Sequence, residues 1–281
     1  MANETTSSTL SELFTEIVAE AQFVASEKSI MRNIVRNYSI IGGGKSVEVP
    51  IYAQVSAAAV NEATDLSNTA INPTSVTITA SEIGIMTTLT DLAKNSAPRN
   101  VAADIGKLFG EAIARKQDTD LTALFDGFST ALGDGTTNIT ASVIFDALST
   151  LRAAALPITE CQVVLHPKIA YDLKANLTNT FANSASNDLA NEALRNGFVG
   201  KLAGLNVFET ANLSNTGTAG DYKGGAFHRD ALAMAIMQDV KIETQRDASL
   251  RAEEIVATSV YGVAEINDSY GVELHHDSSI Q

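Results

Sequence analysis

The chain has 281 residues, of which 45% are hydrophobic, so it is long enough to bury a sizeable core and is not disordered as a whole. Its 33 acidic residues outnumber its 19 lysines and arginines and give a formal net charge of −14, which disfavours a groove for nucleic-acid phosphates and a membrane-surface partner. One cysteine excludes an internal disulfide framework and a multi-cysteine zinc site, and four histidines leave little for a metal centre. No targeting segment or spanning helix is visible, so we expect a soluble protein made in the cytoplasm.

The first predicted element is an amphipathic helix over residues 8–25, where apolar residues recur at three- and four-residue steps. Three glycines at 42–44 then interrupt the chain.

Two predicted strands flank a long polar connection. Residues 45–52 and 74–80 alternate apolar and polar side chains, the pattern of a strand. The apolar residues of these two strands are Val47, Val49, Ile51, Val76 and Ile78. A tight hairpin loop has about 2–5 residues, whereas the segment between these strands is long and too poor in apolar residues to fold alone. We therefore expect an arm that lies on another copy of the chain.

Residues 97–128 are predicted to form the longest helix, a rod of roughly 45 Å at ~1.5 Å per residue. Its charged residues lie off the apolar stripe, where a spacing of four allows some of them to pair; they are Asp104, Lys107, Glu111, Arg115 and Asp118.

A mixed region follows a predicted turn at residues 133–135. Its expected elements are a helix over 142–155, a strand over 162–165, a helix from Pro167, a loop or weak helix over 176–197, and strand-containing segments at 204–208 and 225–237. Closing strands are predicted at 240–245, 255–266 and 270–274. A chain that leaves one region and returns suggests two subdomains, the first of them discontinuous.

Candidate chemical motifs do not favour an enzyme or a cofactor. The sequence at 39–46 ends like a phosphate-binding loop, but a strand rather than a helix follows it. His275 and His276 are adjacent and would point to opposite faces of a strand, so we expect a solvated tail rather than a metal site. Cys161 is expected to be a buried structural thiol, and His166 either to cap the helix that begins at Pro167 or to lie on the surface.

Several segments, in order, resemble the tailed-phage major capsid proteins with the HK97 fold. Residues 45–88 are similar to the extended hairpin called the E-loop, and 97–128 to the spine helix, preceded by a strand at 83–89. The stretches VVLHPKIAYDLKANL at 163–177 and GGAFHRDALAMAI at 224–236 are similar to parts of the axial domain. A spaced pattern of the same domain matches Gly200, Leu202, Gly204, Val207 and Thr210, and residues 240–268 look like the return to the peripheral sheet.

The resemblance implies an α+β, HK97-like capsid fold. The implied division is an N-terminal helix and arm (1–44), the E-loop (45–90), a peripheral domain with the spine helix (91–133), an axial α/β domain (134–239) and a return to the peripheral domain (240–281).

The resemblance also implies a structural role. Subunits would self-assemble into hexamers and pentamers of an icosahedral virion shell, formed in the host cytoplasm, that encloses double-stranded DNA without sequence-specific binding. A separate scaffolding protein, a portal and a cement protein are the implied partners. The arm has no lysine between residues 46 and 81, so we expect no covalent cross-link through it.

The candidate inter-subunit contacts are the apolar strand residues named above and an electrostatic set. Glu62 and Asp65 on the arm are expected to meet Arg99, Lys107 or Arg115 of a neighbour, or else to be solvated. Three other classes stay open at this point: an encapsulin-type nanocompartment, which shares the fold, a surface-layer or flagellin-like polymer, and, third, an enzyme of an α/β class.

Overall fold

A computed structural model of the protein describes residues 29–40, 44–52, 55–57, 59–62, 65, 68, 70–96, 101–182, 201–213 and 220–280. The predicted helix over 8–25, residue Arg99, Gly200 and most of the predicted 176–197 loop lie outside these ranges. In the described part of the chain, no helix is both long enough and apolar enough to cross a membrane.

One layer of the fold is a four-stranded sheet. Its strands are β1 (Arg36–Ser39), β4 (Ser81–Thr90), β10 (Leu232–Asp247) and β11 (Ala252–Glu265), in the order β1-β10-β11-β4. The β1–β10 pair is parallel, and the other two pairs are antiparallel. A short helix, α1 (Met31–Ile34), precedes β1 in the chain, and a second short helix, α2 (Asp91–Ser96), follows β4.

The long helix packs on one face of this sheet. It comprises α3 (Val101–Thr122) and a 3-10 helix (Ala123–Gly127), so the regular α-helix ends before the predicted residue 128. Phe109 and Ile113 of α3 are buried against Val240, Ile255 and Ala257 of the sheet. The alternation along β10 and β11 supplies this apolar face, as the periodicity predicted.

The second sheet has six strands. They are β5 (Ala131–Leu132), β6 (Cys161–Leu165), β7 (Lys201–Leu202), β8 (Leu205–Glu209), β9 (Asp221–His228) and β12 (Gly271–Asp277), in the order β5-β12-β9-β6-β8-β7. Helices α4 (Ala141–Ala153) and α5 (Pro167–Ala182) contribute to its core. Helix α5 continues to residue 182, so of the two alternatives predicted from residue 176, a loop or a weak helix, the helix is confirmed for residues 176–182.

The predicted domain boundaries need three corrections. Strand β4 at residues 81–90 pairs with β11 in the four-stranded sheet, so the E-loop predicted over 45–90 ends before it. Strand β10 already belongs to the four-stranded sheet from Leu232, before the predicted boundary at 239. Strand β12 belongs to the six-stranded sheet, so 240–281 does not return as one unit. Local alternation identifies a strand but not the strand with which it will pair, which is why the sequence did not show this.

Candidate assembly surfaces

The root of the arm is a two-stranded sheet of β2 (Ser46–Ile51) and β3 (Thr74–Thr79). Val49 and Val76 face each other in its antiparallel register. Val49 and Ile78 pack with Ala233 and Ala235 of β10 in one buried cluster. At Gly262 of β11 a Cβ atom would overlap the carbonyl oxygen of Thr79, so the hairpin lies directly on the backbone of the larger sheet.

This packing corrects two of the predicted contact residues. Ile78 is fully buried and Val49 nearly so within the single chain, so neither is available to a neighbouring copy. Val47, Ile51 and Val76 remain half-buried. The alternation revealed an apolar face on each strand, but that face meets the chain's own β10.

The arm beyond this root is exposed. Every described residue from Tyr52 to Ser75 is exposed, and four of them carry large apolar side chains. These are Tyr52, Val55, Val60 and Ile71, with exposed fractions between 49% and 66%. We call these four the arm apolar set. The polar composition of this segment predicted only an arm; its scattered apolar residues were the signal that could have identified these contact candidates.

Two shallow grooves of about 290 and 340 Å³ flank the base of the arm. Ile51, Tyr52, Asn267 and Tyr270 line both of them. The arm therefore leaves the body beside the segment that joins β11 to β12.

The electrostatic candidates are exposed as well. Glu62 and Asp65 on the arm and Lys107 and Arg115 on α3 are all solvent-accessible. Their predicted pairing across subunits is compatible with this exposure and stays a prediction.

Other exposed apolar residues lie around the four-stranded sheet. They are Met86 on β4, Leu92 on α2, Leu108 on α3, Met237 on β10 and Leu250 in the β10–β11 turn.

The N-terminal end of the described chain is fixed by one buried carboxylate. Asp118 of α3 accepts hydrogen bonds from the Ser29 hydroxyl at 2.8 Å, from the Met31 backbone at 3.1 Å and from the side-chain amide of Asn212 at 3.4 Å. Burial raises the pKa of Asp118, and the hydrogen bonds oppose that rise. Asp118 lies off the apolar stripe of the helix and is nevertheless buried, because its partners come from distant parts of the chain.

Cys161 and His166 are both held by packing or hydrogen bonds within the fold. Cys161 is buried, and burial raises the pKa of its thiol to about 11. His166 accepts a hydrogen bond from the backbone of Lys168 at 3.3 Å, as predicted for a cap, and its ring stacks on Tyr222.

The predicted solvated tail at His275 and His276 is wrong, because both residues lie in β12. His276 is almost fully buried, and its Nδ1 lies 3.2 Å from the carbonyl oxygen of Thr137.

Comparison with known proteins identifies the family. A family model described as phage capsid protein matches residues 51–272, which is most of the chain. The chain belongs to this phage capsid protein family. No curated protein matches the sequence.

Solved structures support the fold of this capsid protein. The Mycobacterium phage Che8 structure is 24% identical, with 88% of this chain and 90% of that chain covered and a TM-score of 0.72. The capsid of cyanophage P-SCSP1u is 18% identical, with 89% of each chain covered and a TM-score of 0.68. The head of Helicobacter pylori bacteriophage KHP40 is 14% identical, with 86% and 88% covered and a TM-score of 0.69.

These findings confirm the predicted resemblance to tailed-phage major capsid proteins. The capsid protein is a structural component of a phage head shell built from many copies. The family match favours a phage shell over the encapsulin and surface-layer alternatives.

Proposed function

We propose that the capsid protein forms hexamers and pentamers of an icosahedral head around double-stranded DNA, and that the arm of each subunit lies across the adjacent subunit. The observation that carries this proposal is the contrast along the arm. Its root is anchored by Val49 and Ile78, whereas the arm apolar set further out is exposed in the single chain.

Burial of the arm apolar set would supply a driving force for assembly. Covering a large apolar side chain contributes about 1.5–3 kcal/mol. Part of that gain offsets the entropy of ordering the arm. A neighbour is the natural partner because the shell contains many identical surfaces at high local concentration.

Within this proposal the parts correspond to those of the HK97 fold. The four-stranded sheet with α3 acts as the peripheral domain, the six-stranded sheet with α4 and α5 acts as the axial domain, and residues 46–79 form the E-loop. Mixed α and β content and the capsid neighbours support this correspondence.

The acidic composition suits a container for DNA. With a net charge of −14 per subunit, the shell would not hold the packaged genome by general attraction. We propose that the role requires no catalytic site, that assembly takes place in the host cytoplasm without a membrane, and that a separate scaffolding protein, a portal and a cement protein assist. Shell stability would be non-covalent, because the arm carries no lysine between 46 and 81.

The proposal is tested by shortening the arm. Residues 54–71 are replaced by a short Gly-Ser linker, and the purified variant and the wild-type chain are examined by negative-stain electron microscopy. We expect polyhedral particles or capsomers from the wild type and folded, unassembled protein from the variant, with circular dichroism as the check on folding. Equal assembly by the two proteins would contradict the proposal.

A further inference from the structure

One buried histidine lies where the chain crosses between the two sheets. His228 is the last residue of β9 in the six-stranded sheet, and β10 of the four-stranded sheet begins at Leu232. The side chain of His228 is almost fully buried. Residues 229–231 therefore form an inter-sheet crossover with an imidazole at its first end.

The hydrogen bond between the His228 ring and the crossover requires the neutral form of the ring. Its Nδ1 accepts a hydrogen bond from the backbone N–H of Asp230 at 3.2 Å, so in the neutral ring Nε2 carries the hydrogen. The Nε2 atom lies 3.7 Å from a carboxylate oxygen of Glu160, too far for a hydrogen bond.

Among the described residues, two carboxylates lie close to the ring, and a guanidinium is paired with one of them. Asp230 Oδ2 lies 3.9 Å from His228 Nδ1, while Asp230 Oδ1 is paired with Arg36 Nε of β1 at 3.2 Å. The Arg229 backbone N–H donates to the Glu160 carbonyl at 3.1 Å.

Two further titratable side chains face the ring. Tyr270 meets it edge to face at 6.1 Å between ring centroids, and Cys161 pairs with His228 across the strands. Burial keeps the Cys161 thiol neutral, because it raises the pKa of that thiol to about 11.

Protonation changes what this ring can bind. An imidazolium has two N–H donors and no acceptor. The backbone N–H of Asp230 and the protonated Nδ1–H would then be two donors facing each other, without an acceptor between them. The carboxylates of Asp230 and Glu160, on either side of the ring, could accept hydrogen bonds from the imidazolium. Asp230 Oδ2, now 3.9 Å from Nδ1, must move closer to accept from Nδ1–H, and we expect this movement to draw the carboxylate from Arg36.

We propose that His228 is a proton-sensitive switch of the inter-sheet crossover, in which acidification makes the Asp230 carboxylate exchange Arg36 for His228. The crossover would rearrange because its backbone N–H at 230 loses its acceptor. Asn267 lies in the second crossing between the sheets, which joins β11 to β12. Its side chain donates to the Asp230 carbonyl and its backbone N–H to the Ala231 carbonyl, so a rearrangement at 229–231 would also alter this second crossing. This inference does not depend on the proposed placement of the arm.

Hydrogen exchange measured by mass spectrometry tests the switch on the full chain. Peptides that cover residues 225–235 are compared at about pH 7.5 and about pH 5.5, on either side of the usual histidine titration. Rates are corrected for the intrinsic pH dependence of exchange, EDTA is present to remove divalent cations, and microscopy checks that the assembly state is the same. We expect the corrected exchange of the wild-type crossover to rise at least about threefold at the lower pH.

The matched variants are His228→Asn and His166→Gln. Asparagine keeps an acceptor near the Nδ1 position but cannot titrate, so the pH effect should disappear, whereas His166→Gln should retain it. No pH effect in the wild type, or the same effect in His228→Asn, would overturn the proposal.

If His228→Asn does not fold, Asp230→Asn provides the test. It keeps the backbone N–H and removes the recruited carboxylate, and a chemical-shift titration of His228 would still show protonation. Coupling of that titration to the Arg36 side-chain signal in the wild type, lost in Asp230→Asn, supports the switch. Its absence in the wild type refutes the switch.

Discussion

The hydroxyl of Ser29 donates a 2.8 Å hydrogen bond to the carboxylate of Asp118, although 89 positions separate the two residues. Both side chains are buried, and the same carboxylate accepts the backbone N–H of Met31 at 3.1 Å. Asp118 therefore fixes where the N-terminal segment meets the long helix α3.

Replacement of Asp118 with alanine should strongly destabilise the protein. At least two buried donors would lose their acceptor, at ~1–3 kcal/mol each, so we expect a loss of about 2–4 kcal/mol in the free energy of unfolding. Urea denaturation followed by circular dichroism measures it. Asp104, exposed on the same helix, gives the control Asp104→Ala, which should change stability by less than about 0.5 kcal/mol. Similar losses for the two variants would contradict the assigned role of Asp118.

Substitutions in the arm and in its root should have opposite signatures. Val55→Ser combined with Ile71→Ser changes exposed residues, so the unassembled subunit should keep its stability. Shell yield should fall about tenfold, the effect of losing roughly 1.4 kcal/mol in total where one arm meets its neighbour. Ile78→Ala opens a cavity in a buried cluster and should cost about 2–5 kcal/mol of folding stability. Urea denaturation and quantitative microscopy separate the two effects. A destabilised Val55/Ile71 variant would show that these residues are buried within their own subunit.

Gly262 should not tolerate a side chain. Its Cβ atom would overlap the Thr79 carbonyl, so Gly262→Ala must push the hairpin away from β11, at a cost of about 1–3 kcal/mol. Gly84→Ala in the neighbouring strand is the control, because its Cβ would approach nothing closer than 3.3 Å. Thermal unfolding of the two variants compares them, and an equal shift in Tm would argue against tight docking of the hairpin.

The arm carboxylates can be tested by charge exchange. Glu62→Lys with Asp65→Lys should lower the thermal stability of the shell if these residues face Lys107 or Arg115 of a neighbour. Adding Lys107→Glu and Arg115→Glu should restore part of the loss, because exposed ion pairs contribute about 0.2–1 kcal/mol each. Calorimetry of assembled shells measures both steps. Loss without restoration would indicate that the arm carboxylates meet other groups.

Acid should weaken the six-stranded sheet through His276. Burial lowers the pKa of His276, and like-charge interaction with His275 adds to this effect. Between that lowered pKa and the ordinary value near 6.5, the unfolded chain binds more protons than the folded one, so stability rises with pH through this window and levels off above it. The variant His276→Gln should show a shallower rise in urea denaturation between about pH 5 and pH 7. An unchanged slope would mean that other groups cause the dependence.

Much of the secondary structure could be predicted from the sequence, because strict alternation and three- to four-residue steps are local properties. Strands β2 and β3 and helix α4 were predicted in this way. What could not be predicted were pairings between distant segments. No sequence pattern near Asp118 identifies Ser29 as its partner. Likewise, no pattern within residues 271–277 indicates which sheet this strand joins.

The candidate surfaces were predicted less well. Alternation located Val49 and Ile78 but could not show that β10 of the same chain covers them. The long connection was correctly treated as separate from the core, yet its apolar residues were overlooked because they follow no periodicity. An exposed irregular segment has no repeating pattern, so its contact residues are found only when burial is measured.

Electron cryomicroscopy of particles formed by the purified full chain is the most direct measurement. We expect closed shells in which the arm of each subunit covers its neighbour and buries Tyr52, Val55, Val60 and Ile71 there. A stable monomer, or a shell whose arms each fold back on their own subunit, would contradict the account.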